Sequence, residues 1–243
     1  MPASRVEQAL ALIARCEGGE AVPPLIDGFQ NLVRLFGFDV TAGGCWAGVG
    51  KERQYRFFFN NWPDDWNRYY AENRFFERDF IVEASRQNIR PFLWNEKAPA
   101  LMQQPAAQEF TAVNRGKHNW VDGFVVPVRG PGGFEGIVSL AAQQIVTLPL
   151  PDRSALEMLC RALHERCRIE VGLGAAPPAD PPLTEREIEC MKWAAVGKSD
   201  WQIGALLGIT GATVHFHIEA AKKKLGVRSR VQAVAILVLH GLI

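Results

Sequence analysis

"DWQIGALLGITGATVHFHIEAAKKKL", residues 200–225, reads as two short helices with almost nothing between them. The first, 200–207, stops at Gly208; the second, 212–225, stops at Gly226; "GITG" is the whole connection. Glycine just past a helix is the expected stop, and this spacing is that of a helix-turn-helix. On a helical wheel Val214, Ile218, Ala221 and Leu225 share one face of the second helix with His217 at its edge. His215, Phe216, Glu219 and Lys223 fall on the other face, flanked by Lys222. One face is thus set to pack on its own domain and the other is left for a partner. In a DNA reader the second helix enters the major groove, with exposed residues on base edges and surrounding lysines on phosphate. On charge and periodicity alone, a small helical bundle with a solvated basic face is the stronger reading.

Working outward, helices are expected at 185–196 and 229–239, ending at Gly197 and before Gly241. Thr184 with Glu187 three residues on is a capping box that starts the first of these. Just upstream, "GLGAAPPADPP" (172–182) holds four prolines and two glycines. Proline-rich chain stays extended and packs no core, so this is the expected linker between domains 1–171 and 183–243. Charge divides there too. Up to residue 182 there are 19 Lys and Arg against 21 Asp and Glu, a net −2; beyond it 8 against 5, a net +3. An anionic partner for the C-terminal piece alone follows from that asymmetry.

The larger N-terminal part mixes periods. Helical spacing runs over 5–16, 24–36, 64–75, 79–88, 105–115 and 152–170, while RQYRFFFN (53–60), GFVVPV (123–128) and GIVSLAA (136–142) read as strands, the last two joined through RGPGG. Hairpin strands with helices before and after imply an α+β chain: an antiparallel sheet in an α/β/α sandwich, followed by the small all-α domain. The N-terminus lacks the unbroken apolar segment of a signal peptide, nothing approaches a membrane span, and five scattered cysteines without CxxC pairs or metal-ligand spacing read as reduced core thiols. A cytoplasmic protein is expected.

Residues 62–80, "WPDDWNRYYAENRFFERDF", interleave seven aromatic rings with carboxylates. A core helix would show the rings without the acids and a solvated helix the reverse, so the stretch reads as a wall between core and something polar buried with it. Trp66 and Tyr70 share a helix face, and Trp62 joins them if that helix extends back through Pro63. Asp79 reads equally as the N-cap of the next helix or as a buried carboxylate accepting from a ligand amide. Asp64, Asp65 and Glu72 read as solvated.

Two sets of residues carry a resemblance. LTxRE at Leu183–Glu187, GKS at Gly197–Ser199, TVxxH at Thr213–His217, KLGV at Lys224–Val227 and the closing GLI resemble the LuxR-type DNA-binding domain. Trp66-x3-Tyr70-x8-Asp79, Trp94 in RPFLWNE, Gly123 in DGFVVPV and Ser139 in GIVSLAA are similar to the autoinducer-binding domain of LuxR-type quorum-sensing regulators. The resemblance spans the chain outside the linker. It implies a transcriptional regulator with no cofactor, an N-acyl-homoserine lactone as regulatory ligand, and as partners double-stranded promoter DNA, a second copy in a homodimer, and RNA polymerase. Trp66 would donate to the lactone carbonyl and Asp79 accept from the amide; Ser139 would reach the amide carbonyl, with Tyr70, Trp94 and Phe110 walling the cavity. The implied DNA-facing set is Lys198, Thr213, His215, Phe216, Glu219, Lys222 and Lys223.

Two positions depart from the family's pattern. Phe80 stands where proline is usual. Trp62 stands where many members carry a tyrosine whose hydroxyl helps hold the acyl carbonyl; a large ring there favours a short, branched or aromatic acyl group over a long straight one. Alternatives are a regulator of another small molecule or of none, and a lactone hydrolase. Against the latter, the ligand domain's histidines, His118 and His164, sit in no HxH or GxSxG context.

Overall fold

The structure is a computed structural model describing residues 3–47, 54–96, 107–110, 113, 117–130, 133–173 and 183–243. Its contacts divide the chain into two compact units, one of Met1–Arg129 with Phe134–Gly174, the other built on Ala175–Ile243.

In the first unit α1 (Arg5–Glu17) and α2 (Val22–Leu35) lead into β1 (Val40–Ala47) and β2 (Gln54–Asn60); α3 (Asp64–Glu72), a 3-10 turn (Phe75–Glu77) and α4 (Phe80–Gln87) follow. After β3 (Phe92–Leu93), residues 107–110 are helical, and β4 (Asp122–Gly130), β5 (Phe134–Ala142) and α5 (Leu150–Glu170) complete the unit. The strands form one antiparallel sheet in the order β2-β1-β5-β4-β3.

Strand alternation decides which side each residue serves. Phe124, Val126, Val138 and Leu140 join the cluster under α1, α2 and α5. Val125, Ile137 and Ala141 face the ring-rich cluster of Trp66, Tyr70, Phe75 and Phe80. That is the expected sandwich, and its second layer is the aromatic wall.

Several expectations shift in detail. The 64–75 helix ends at Glu72, and it does not extend through Pro63, which caps it from outside. Strand β1 has no counterpart in the sequence reading, because "VTAGGCWA" carries two glycines that argue for a loop. Packing demands them: a Cβ on Gly43 would lie 2.4 Å from the Phe59 ring, and one on Gly44 2.3 Å from the Arg56 carbonyl. The register slips between the two, a bulge that glycine accommodates. The expected linker 172–182 lies outside the described residues beyond 173, as do most of the helix expected at 105–115 and residues 131–132 of the β4–β5 turn.

The second unit is all helix: α6 (Glu185–Ala195), α7 (Asp200–Leu207), α8 (Gly211–Lys224) and α9 (Arg230–Leu239). Gly197, Gly208, Gly226 and Gly241, the expected stops, all have positive φ. Thr184 and Glu187 form the expected capping box, and Ser199/Gln202 and Ser229/Gln232 repeat it for α7 and α9. Val214, Ile218 and Ala221 are buried among Cys190, Met191, Ile203, Ala233 and Leu237, with Leu225 packed beside them. Tight apposition of α7 and α8 needs Gly204, whose Cβ would lie 2.6 Å from the Ile209 carbonyl.

Candidate ligand cavity and nucleic-acid interface

Beneath the aromatic wall lies a cavity of about 50 Å³, room for a few waters at roughly 10–15 Å³ each. All seven residues singled out from sequence line it: Trp62, Trp66, Tyr70, Asp79, Trp94, Phe110 and Ser139. Trp62 does so from outside the helix, its ring centroid 4.7 Å from that of Tyr70 and 5.1 Å from Phe57. Sequence reasoning missed Tyr55, Phe57, Ile81, Val82, Trp120 and Ile137. Tyr55 and Phe57 were within reach, since they alternate along a recognised strand; Trp120 lies in a loop with no periodic signal.

Asp79 sits at the junction of helix and cavity. One carboxylate oxygen accepts from the Ile81 N–H at 2.7 Å and caps α4; the other accepts from the Tyr70 hydroxyl at 2.8 Å. Burial pushes its pKa up from the ordinary 3.8, opposed by the Tyr70 and Ile81 hydrogen bonds. Phe80, in place of proline, is buried at the first position of α4 and packs 5.3 Å from Phe110. Asp64, Asp65 and Glu72 are exposed, as expected.

The tryptophans are braced by neighbours. Trp66 meets Phe110 at 5.6 Å and Trp120 at 5.3 Å, both edge to face, and His118 stacks on Trp120 at 4.7 Å. Trp94 lies against Gly123, where a Cβ would come within 2.3 Å of the indole, and its buried N–H has no hydrogen-bond partner among the described residues. Asp122, fully buried, ties the neighbouring loops together by accepting from the backbone N–H of Asn95, Gly123 and Val146 and from the Asn95 side chain. No His, Cys, Asp and Glu cluster among the described residues could hold a metal. Cys16, Cys45, Cys160, Cys167 and Cys190 are all free and buried. None of the described helices is long and apolar enough to cross a membrane.

In the helical unit, α8 shows the expected faces. Thr213, His215, Phe216, Glu219 and Lys223 are exposed, Phe216 at 68%. Lys222 is held differently: its side chain is 16% exposed and its ammonium donates to Glu219 at 2.6 Å. His215 Nδ1 lies 3.2 Å from Asp200, which also pairs with Arg230 at 2.6 Å. Lys198, ahead of α7, accepts from Arg230 through its carbonyl, and its ammonium has no ion pair among the described residues. Lys224 is spent internally on buried Glu187 at 2.8 Å.

A sandwich enclosing an aromatic cavity, followed by a helix-turn-helix unit, is the architecture of a ligand-responsive transcriptional regulator, and sequence comparison agrees. Residues 24–167 match the autoinducer binding domain and 181–237 the bacterial regulatory proteins of the luxR family. The chain is 32% identical over 223 residues to the transcriptional activator protein BjaR1 of Bradyrhizobium diazoefficiens, covering 91% of this chain and 90% of that one. It is 30% identical over 239 residues to the quorum sensing-dependent transcriptional regulator RpaR of Rhodopseudomonas palustris, covering 97% and 95%. Among solved structures Escherichia coli SdiA shares the fold, with a TM-score of 0.65 at 20% identity over 97% of each chain. The protein belongs to the LuxR family of transcriptional regulators, which are not enzymes.

Proposed function

We propose that this protein is a cytoplasmic quorum-sensing regulator that binds an N-acyl-homoserine lactone in its N-terminal domain. As a homodimer it then binds a twofold-related promoter site through α8 and acts on RNA polymerase. The observation that carries the reading is Asp79: a buried carboxylate on a cavity otherwise walled by rings, aliphatic side chains and Ser139. A mostly apolar molecule with a single amide donor suits such a site, because a buried charge must find donors. Trp66 donates to the lactone carbonyl, Asp79 accepts from the amide N–H and Ser139 reaches the amide carbonyl, while Tyr70, Trp94 and Phe110 close the walls. The cavity is smaller than the roughly 300 Å³ and upward of ligand pockets, so entry moves rings. Of the lining rings, Tyr55 and Trp62 are partly buried and Phe57 is exposed.

On the DNA side, Lys198, Lys223 and Lys222 meet phosphate, the last by leaving Glu219, while Thr213, His215, Phe216 and Glu219 face the base edges. Half-sites are expected about one helical turn apart. The test is a melting and sedimentation series with and without a saturating acyl lactone. At a hundredfold excess over Kd the ligand adds about 2.7 kcal/mol to the folded form, so Tm should rise and the dimer fraction increase. Equal melting temperatures across short, long and aryl lactones remove the reading.

A further inference from the structure

His215, exposed on α8, is tied on one side: its Nδ1 lies 3.2 Å from Oδ2 of Asp200, the first residue of α7. An ionised carboxylate can only accept hydrogen bonds. The proton of that contact therefore sits on Nδ1. In a neutral imidazole one nitrogen carries the proton and the other a lone pair, so Nε2 is left as an acceptor. Asp200 is itself fixed. Its other oxygen accepts from Arg230, the first residue of α9, at 2.6 Å, and the same guanidinium donates to the Lys198 carbonyl at 2.7 Å. Three helices thus meet in one chain of contacts, Arg230 to Asp200 to His215. Charge is balanced around it: Arg230 neutralises Asp200, and Glu219, one turn further along α8, is paired with Lys222 at 2.6 Å. With 65% of the His215 side chain exposed, the rest of the ring is open to a partner.

Base edges in the major groove differ in what they offer such an acceptor. Adenine and cytosine carry an exocyclic amino group there, a donor; guanine and thymine carry a carbonyl oxygen, an acceptor. Resting on the reading that α8 enters the major groove with His215 on the base edges, we propose that Asp200 is a positioning residue that sets the polarity of this contact. It holds His215 as an acceptor, and the base His215 reads is one with an exocyclic amino group, adenine or cytosine. A guanine or thymine in that place sets a carbonyl oxygen against the Nε2 lone pair, and the repulsion is the source of discrimination. Glu219, four residues along the same helix, is likewise an acceptor, so this stretch of α8 recognises donors.

The test uses the full-length protein with a saturating acyl lactone, in alkaline buffer where imidazole holds a single proton. Selection from a randomised duplex library with the parent and with His215→Ala shows which base pair loses its preference when the ring is removed. At that pair single groups are then replaced. Purine for adenine, or pyrimidinone for cytosine, removes the amino donor; a deazapurine, with CH in place of N7, removes the ring acceptor. Parent affinity should fall roughly three- to tenfold without the amino group, as for one neutral hydrogen bond, and hold with the deazapurine. Asp200→Asn keeps the size of the side chain and an oxygen for Arg230, but its NH2 group lets it impose either tautomer, so dependence on the amino group should lessen. A thermal melt at the parent temperature shows that the fold is retained. Loss of affinity with the deazapurine in place of the amino-free base overturns the proposal. So does an Asp200→Asn protein with the parent's melting temperature and its full dependence on the amino group. A parent that enriches no sequence removes this inference together with the reading beneath it, whereas an enriched site indifferent to the amino group removes this inference alone.

Discussion

Asp79→Asn separates the two jobs given to one carboxylate. Asparagine caps a helix about as well as aspartate, so its amide oxygen can keep the 2.7 Å bond from the Ile81 N–H. The Tyr70 hydroxyl, now a donor to Asp79 at 2.8 Å, can turn and accept from the new NH2 group. Loss of the negative charge at the start of α4 costs about 0.3–1 kcal/mol, partly offset because the charge was buried. The ligand amide N–H, in contrast, meets a donor or a weaker neutral acceptor, and a hydrogen bond to a charged group is worth about 1.5–3 kcal/mol. Acyl-lactone affinity should therefore drop roughly 10- to 150-fold while the ligand-free Tm moves by only a few degrees. Titration calorimetry at pH 7 and a thermal melt measure the two. Parent-like affinity would falsify the amide contact. The sign of the pH effect follows from the raised pKa of Asp79. Its contribution to the ligand-free fold is fully present below 3.8 and is lost as pH rises through the folded pKa. The ligand favours the ionised form, so wild-type affinity falls on acidification through that raised pKa, and the Asn variant shows no such fall.

His164 supplies an acid-sensitivity test: burial, opposed by its bond to the Gly44 carbonyl, holds its pKa down to about 4 from 6.5. The stability this represents, on the order of 3 kcal/mol, is present above pH 6.5 and lost as pH falls through about 4; a His164→Gln domain whose chemical-denaturation profile keeps the same acid limb refutes the assignment. Trp62→Leu, by opening the cavity's partly buried side, should shift ligand preference towards longer chains, and an unchanged ranking across short, long and aryl lactones excludes Trp62 from chain selection. Lys223→Ala should weaken binding to every DNA sequence and lower the salt slope by roughly one unit, whereas His215→Ala or Glu219→Ala should alter base preference; a Lys223→Ala protein with the parent's salt dependence would take that lysine off the phosphates.

What the sequence disclosed follows from how local each feature is. The helical unit was legible almost residue by residue, because its stops are glycines at positive φ and its starts are capping boxes, signals contained within four or five residues. Val214, Ile218 and Ala221 could be placed inside from a wheel alone. The ligand domain yielded its hairpin, its first and last helices and the seven lining residues, the latter through the family's spacing. Its other features depend on distant partners. Strand β1 was not read, because the Phe59 ring and Arg56 carbonyl that require Gly43 and Gly44 lie across a strand pair. Tyr55 and Phe57 were visible as strand residues, but which layer they face depends on the sheet order. Nor did anything near Asp122 announce the three backbone N–H groups it gathers from separate segments.

Asp79 shows a different kind of limit. Of the two readings of Asp79, helix cap and ligand acceptor, the cap is present, and it leaves room for the other as proposed. A carboxylate has two oxygens and about four acceptor sites, of which Ile81 and Tyr70 take two, one on each oxygen. Capping fixes where the group stands, and the Tyr70 bond fixes how it turns; both are needed before the remaining lone pairs can meet a small ligand at a defined angle. At 7% exposure this carboxylate would be costly to bury without the cap. The cap is what lets a charged acceptor be kept in an apolar wall.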